Sequence, residues 1–419
     1  MRIYISGISG TGMGPLALMA RSAGFEVCGS DLSEGAIYNE LIKAEIEVSI
    51  GEQDGKFLKE KLAEGVDWFC YTSALPEDHA ELLLAREAGI KCTKRDDLTA
   101  FLVDKLGLKM VAVAGTHGKT TTTAMIVWAA LKLSLPVAYI VGTTLGFAPS
   151  GSYHHGDKYF VYEADEYDRN FLKYYPWLAV IPAVSYDHPD IYTTRGDYEK
   201  AFSQFEKQSE NVIRNYDGEV RWNGEEFDFN FMPEKFSLVG EARRIDAGLA
   251  AEAVRLICEN AGIESGSIIE ILNDFPGVGR RFERVCDGLY TDYAHHPEEI
   301  VATVDVAIDE AKRTGRKGVV VVYQPHQNTR QHEVRGGYVK AFSGASKVLW
   351  LPTYLTRENP NLPVISAKEL VDELEDVDAE AVELNDELKE QIQKYLEENY
   401  LVVLMTAGPA DGWLRQNFA

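Results

Sequence analysis

The chain has 419 residues, 45% of them apolar and 26% charged, and its 42 basic side chains against 66 acidic ones leave a net charge of −24. That length holds two to four domains, and the composition excludes disordered, collagen-like and coiled-coil proteins. The acidic excess excludes a general binder of nucleic-acid backbone, but not a small anionic ligand in a locally positive pocket. No run of about 18 apolar residues occurs, so no bilayer span is expected. MRIYIS opens directly as a strand without the pattern of a signal peptide, and a cytoplasmic protein is expected. The cysteines, Cys28, Cys70, Cys92, Cys258 and Cys286, form no CxxC pair and read as reduced thiols.

In chain order, residues 1–104 alternate short strands and helices. Arg2–Ser6 reads as a strand, Met13–Ala23 as a helix, and Glu26–Gly29 and Asp67–Thr72 as further strands. Such alternation predicts parallel strands with right-handed crossovers, a small Rossmann-like unit. A second unit, expected over 105–275, opens with the apolar strand LKMVAVAG from Leu108. Its later strands are read at Tyr159–Glu163 and Trp177–Val184, with helices at Ala124–Leu133, Tyr198–Glu210 and Ile245–Asn260. A third unit, 276–419, begins after the hinge-like FPGVGRRFE. Strands are expected at Leu289–Asp292, Gly318–Tyr323, Lys347–Leu351 and Tyr400–Met405. Residues 367–400 carry 13 acidic and 3 basic side chains with leucines and valines at helical spacing, which reads as a solvated helix face.

Three polar clusters carry chemistry. Gly115-Thr116-His117-Gly118-Lys119-Thr120-Thr121 lies between an apolar strand and a helix. Backbone N–H groups converge on one volume there, Lys119 supplies a charge for β- and γ-phosphates, and the Thr120 hydroxyl is placed for Mg²⁺. Gly10-Thr11-Gly12-Met13, within GISGTGMG, also joins a strand to a helix. Asp31 ends the next strand, where it can accept from a ribose. Glu163, at a strand end before ADEYD, and His188, in a downstream Asp-His pair, could hold a divalent ion against a γ-phosphate. For Asp165, Glu166 and Asp168, a helix N-terminus favouring negative charge is an equal reading. In the last unit, Arg280-Arg281 precede a strand ending in Asp292-Tyr293-Ala294-His295-His296. Tyr323-Gln324-Pro325-His326, with Arg330 close behind, follows another strand. Guanidiniums at strand ends can clamp carboxylates or phosphates. His154 and His155 receive no role.

GTHGKTTT, EADE, a DH pair, RR and DYAHHP, in this order, resemble the Mur ligases of peptidoglycan synthesis. GISGTGMGPLA, TSALPED and QPHQNTR are similar to signatures of the branch that adds L-alanine. The resemblance spans Arg2 to about Gly408. It implies an α/β protein of three domains: a Rossmann-like UDP-binding domain, a central P-loop ATPase-type domain and a C-terminal Rossmann-like domain. It further implies ATP-dependent joining of L-alanine to the lactyl carboxylate of UDP-N-acetylmuramate through an acyl phosphate, with Mg²⁺ or Mn²⁺, in a monomer or weak homodimer.

By the same resemblance, Lys119 and Thr120 serve ATP and one ion, while Glu163 and His188 hold a second. Ser73 joins the UDP-substrate residues Gly10, Thr11, Gly12, Met13 and Asp31. Arg281 and Asp292 line the nucleotide, and Tyr293, His295 and Arg330 the amino acid. The chain departs from the family pattern at Pro182-Ala183, where relatives carry Thr-Asn. It departs again at Arg243 and Asp246, where they carry Asn-x-x-Asn, at Ala242, often His, and at Gln327, often Arg. Three alternatives stand beside this reading: a sister ligase that attaches a preformed peptide, a nucleotide-binding relative without ligase activity, and a nicotinamide oxidoreductase.

Overall fold

A computed structural model describes all residues except 189–190, 217–218, 227–230, 357 and 419. The chain divides into two compact units. One comprises Met1–Ser237 with Ile245–Val278, and the other Leu238–Arg244 with Gly279–Ala419. Three sheets are distributed over them.

The first sheet is wholly parallel. It is built from β1 (Arg2–Ser6), β2 (Glu26–Asp31), β3 (Glu47–Ile50), β4 (Trp68–Tyr71) and β5 (Lys91–Lys94) in the order β3-β2-β1-β4-β5. The order reverses between β1 and β4, which opens a crevice at the carboxyl ends of the strands. The glycine turn after β1 sits at that switch point and leads into the helix Gly14–Ser22, with Pro15 near its start. The helix Arg95–Leu106 follows β5 and ends on Gly107 in left-handed conformation.

The same unit contains a second sheet of β6 (Lys109–Val113), β7 (Val137–Ile140), β8 (Gly151–Ser152), β9 (Tyr159–Glu163), β10 (Leu178–Ile181), β11 (Asn211–Tyr216), β12 (Glu219–Trp222) and β13 (Glu225–Glu226). Its order is β13-β12-β11-β10-β6-β9-β7-β8, parallel from β11 to β7, with antiparallel hairpin strands at either edge. The central strands are covered on both faces and are therefore apolar throughout: Met110–Val113 and Leu178–Ile181 are buried without a break. Ile3, Ile5, Leu16, Met19, Ala112, Phe160 and Ile181 belong to one continuous core that runs through both sheets.

The second unit carries β14 (Glu283–Cys286), β15 (Leu289–Asp292), β16 (Val319–Gln324), β17 (Lys347–Trp350), β18 (Ala379–Ala381) and β19 (Leu401–Thr406). Their order is β14-β15-β19-β16-β17-β18, with only β14 antiparallel. Here one sequence expectation is corrected. The acidic stretch 367–400 is not a continuous helical face. It forms a helix at Ala367–Val371, the edge strand β18 and a helix at Asp386–Glu397. This edge strand pairs with β17, and Lys347 on β17 lies 3.0 Å from Asp378 and 3.5 Å from Glu380. Asn385 then starts a new helix by accepting from the Leu388 N–H at 3.0 Å. Leu388 and Ile392 are buried four residues apart, which leaves the carboxylates of that helix on its other faces.

Candidate active site

β6 lies between β9 and β10, so the turn after it emerges beside the end of β9. The turn runs from Gly115 to Gly118, and the helix Lys119–Lys132 begins on the lysine itself, five residues before the expected Ala124. Gly118 has φ +82, and a Cβ there would stand 2.6 Å from Asp246 Oδ1 and 2.8 Å from Pro182 Cβ. Only glycine fits both the conformation and the space. Thr116 anchors the turn to the segment after β10. Its N–H donates to the Ala183 carbonyl at 2.9 Å, its hydroxyl lies 2.6 Å from the Ser185 carbonyl, and the Tyr198 hydroxyl lies 2.7 Å away. At the departure Pro182-Ala183 the support is therefore made by a backbone carbonyl. Asp246, the other departure in this unit, is buried against Gly118. His117 and Thr121 are half-buried beside Gly118 and Lys119.

The Lys119 ammonium turns back onto its own loop. It donates to the Gly115 carbonyl at 2.5 Å, to the Thr116 carbonyl at 3.4 Å and to both carboxylate oxygens of Glu166 at 2.9 and 3.0 Å. Burial works to lower the lysine's pKa, but Glu166, Asp165 and Glu163 outweigh it and hold the charge above its ordinary range. Burial likewise opposes charge on Glu166, whose carboxylate is nevertheless held below the usual range by Lys119 and His188. Glu163, at the end of β9, accepts from Thr120 Oγ1 at 3.0 Å and from the Gly142 N–H at 2.8 Å.

His188 is brought to the same cluster, with Nε2 3.5 Å from Glu166 and 3.7 Å from Asp187. β10 stops at Ile181, short of the expected Val184, and His188 sits in coil with φ +57. Its own N–H is held by Asp187 Oδ1 at 2.7 Å, and its ring meets Tyr167 edge-on at 5.2 Å. Asp165, Glu166 and Asp168 do not cap a regular helix. The segment Tyr167–Lys173 is a 3₁₀ turn broken by left-handed Asp168 and Arg169.

At the first sheet, the Gly7–Met13 turn is stitched by Gly7 and Ile8 N–H groups to the Ser30 carbonyl at 2.8 and 3.1 Å. Asp31, expected to meet a ribose, accepts the Ser9 N–H through Oδ2 and the Leu32 N–H through Oδ1, each at 2.8 Å. A cavity of about 160 Å³ opens here. Its walls include Gly10, Gly12, Met13 and Ser73 on one side and Asp165, Asp168 and Asn170 on the other. Thr11 is exposed at the turn. Lys94 and Arg95, two cations that motif reading passed over, also line the cavity. The signal was their place at the carboxyl end of β5.

In the second unit, Asp292 is buried. It accepts the Phe282 N–H at 2.6 Å and the Ala294 N–H at 2.8 Å, and burial raises its pKa against Arg281 and these donors. The guanidiniums of Arg280 and Arg281 stand 4.7 and 5.0 Å from the Tyr293 ring. His295 Nδ1 lies 3.0 Å from the Tyr293 carbonyl and 3.2 Å from Glu299, and its ring is 5.9 Å from that of His326. Arg330 is half-buried on the helix Asn328–Val334, which follows Gln327 at φ +65.

A phosphate-type turn beside a strand-end carboxylate, with two further mainly parallel α/β sheets, is the pattern of a nucleotide-using enzyme. Family models confirm the class. The Mur ligase catalytic domain matches residues 2–105, the Mur ligase middle domain 113–245 and the Mur ligase glutamate ligase domain 280–408. The chain is 32% identical to the UDP-N-acetylmuramate–L-alanine ligase of Carboxydothermus hydrogenoformans, over 97% of this chain and 94% of that protein. It therefore belongs to the Mur ligase family. Among solved structures, the UDP-N-acetylmuramate-alanine ligase of Thermotoga maritima superposes with a TM-score of 0.78 at 24% identity, covering 99% of this chain and 98% of that one. A murein peptide ligase from Psychrobacter arcticus gives 0.61 at 22% identity, covering 99% of this chain and 98% of that one. No helix among the described residues is long and apolar enough to cross a membrane.

Proposed function

We propose that the protein joins L-alanine to the lactyl carboxylate of UDP-N-acetylmuramate at the expense of ATP, in the cytoplasm, as a step of peptidoglycan precursor synthesis. One observation supports this most: Lys119 and Thr120 at the start of one helix face Glu166 and Glu163, and His188 joins Lys119 on Glu166, next to the cavity that reaches the Gly7–Met13 turn. That is the arrangement needed to bring a phosphate donor to a carboxylate held on a second nucleotide. In this reading the lactyl carboxylate attacks the γ-phosphorus, ADP leaves, and the alanine amine attacks the acyl phosphate, releasing phosphate and forming the amide. A carboxylate is a poor electrophile until one oxygen becomes phosphate, so positioning and charge neutralisation supply most of the catalysis.

Each residue set has a role in this scheme. Gly115–Thr121 cradle the phosphates, with Lys119 on the β- and γ-oxygens, and the family resemblance gives Arg281 and Asp292 to the nucleotide as well. Gly10, Thr11, Gly12, Met13 and Ser73 receive the UDP-sugar, with Asp31 holding the turn in shape. Tyr293, His295 and Arg330 receive the amino acid. Thr120 and Glu163 present hydroxyl and carboxylate oxygens, hard donors suited to Mg²⁺ or Mn²⁺, and His188 adds an imidazole nitrogen of borderline softness; an ion held there would neutralise developing phosphate charge. The Thr120–Glu163 contact at 3.0 Å shows that two of these donors already face one another.

Mass spectrometry of products after incubation with ATP, Mg²⁺, UDP-N-acetylmuramate and an amino-acid mixture tests the reading. UDP-N-acetylmuramoyl-L-alanine with one ADP per amide is the expected result. Product only with a preformed peptide would move the protein to the sister activity, and no product with any acceptor would overturn the assignment.

A further inference from the structure

A phosphate-binding turn ordinarily presents a free cation to its ligand. In this chain the ammonium of Lys119 directs its donors at two carbonyls of its own loop and at both oxygens of Glu166. Glu166 is 1% exposed, so water does little to screen it. It stands between two basic groups, Lys119 at 2.9 Å and His188 Nε2 at 3.5 Å. Its backbone carbonyl accepts from the Tyr192 hydroxyl at 2.6 Å, which anchors the main chain that carries the carboxylate. A phosphate that takes the ammonium must displace this buried negative charge from its closest partner. A divalent cation arriving with the phosphate offsets that charge, and a nucleotide arriving alone does not.

We propose that Glu166 competes with the nucleotide phosphates for Lys119, remaining beside His188 once the ammonium turns to phosphate, and thereby makes ATP binding depend on a divalent cation. Glu166 is a positioning residue in this scheme, acting through Lys119. The inference deepens the reading of the Gly115–Thr121 turn as an ATP site and rests on it.

The test is ATP binding by titration calorimetry, with excess chelator and with saturating Mg²⁺, in the full chain and its Glu166→Gln variant. Removing the competing charge should tighten metal-free ATP binding by about tenfold or more, and Mg²⁺-ATP binding by about threefold or less. Glu166→Asp, which keeps the charge but draws it back by a methylene, should give a smaller metal-free gain of about threefold, and carries the test if the glutamine variant does not fold. A purely structural Glu166 would weaken ATP binding in both conditions. Unchanged or weaker metal-free binding in a folded variant, one that retains UDP-N-acetylmuramate binding, overturns the proposal. If wild-type protein fails to bind ATP even with Mg²⁺, the nucleotide reading itself falls and takes this inference with it. If both proteins bind Mg²⁺-ATP without a metal-free difference, only this inference falls.

Discussion

The two glycine turns of the first unit, Gly7–Gly14 after β1 and Gly115–Lys119 after β6, share the same strand–turn–helix plan and differ in how they handle charge. The first contains no basic residue and is braced by a carboxylate: Asp31 takes the Ser9 N–H, and the cations of its cavity, Lys94 and Arg95, come from the end of β5. The second carries its cation within the turn, and buried or partly buried carboxylates surround it, Glu166 on Lys119, Glu163 on Thr120 and Asp246 against Gly118. A glycine turn therefore reveals an anion site only together with its neighbours. The first is a scaffold that borrows its charge, and the second holds a charge in check.

The largest expected effect breaks this division of labour at its centre. Lys119→Ala should lower the rate of amide formation by about a thousandfold or more, since the proposed β/γ-phosphate contact is lost, while UDP-N-acetylmuramate affinity stays within about threefold. Steady-state ligation and calorimetric binding of the UDP-sugar together decide it. Comparable loss of both would mean that the two turns serve one nucleotide.

Next comes a matched pair of glycine substitutions. Gly118→Ala places a Cβ at φ +82, against both Asp246 and Pro182. ATP affinity should fall by about a hundredfold, because the turn must shift away from the phosphates. Gly12 has no such φ, and a Cβ there would stand 3.4 Å from the Arg95 guanidinium, which can move. Gly12→Ala should raise the KM for UDP-N-acetylmuramate only about three- to tenfold and leave ATP binding alone. A reversal of these two magnitudes would show that the first turn is the more tightly built.

Much of this contrast could be read from residue order. Apolar runs such as MVAV and LAVI can only be strands covered on both faces, and glycine-rich turns directly after strands locate both cradles. Glu163 was legible as a strand-terminal carboxylate. Edge strands were harder to read: EVSI of β3 and KCTK of β5 lack buried apolar runs, and AEA of β18 lies within an acidic stretch. Glu166 and Arg95 escaped because their roles depend on partners 47 and 70 residues distant, Lys119 and Asp165, and no local spacing encodes such a pairing. His188 was legible as a residue type but not as a place, since its position follows from an irregular segment after β10.

The last predicted effect is on stability alone and concerns the buried contacts around Asp96. Asp96 accepts from Tyr174 at 3.2 Å and lies 3.5 Å from the Tyr162 hydroxyl, beside Arg95, so the helix after β5 meets β9 of the second sheet at one carboxylate. Burial pushes the Tyr162 phenol up to about 12, with Arg95 opposing and Asp96 adding to the shift. The folded protein thus keeps this proton where the unfolded chain, titrating near 10, releases it. Stability tied to Tyr162 is complete below pH about 10 and is lost as the pH rises toward about 12, a difference worth about 2–3 kcal/mol. Tyr162→Phe removes that dependence. Urea unfolding at pH about 9 and about 11.5 should show the wild-type chain losing about 2 kcal/mol more than the variant between the two conditions. Equal losses would mean that the phenol is not confined where the helix after β5 meets β9, and the two turns would then be free to respond to alkali independently.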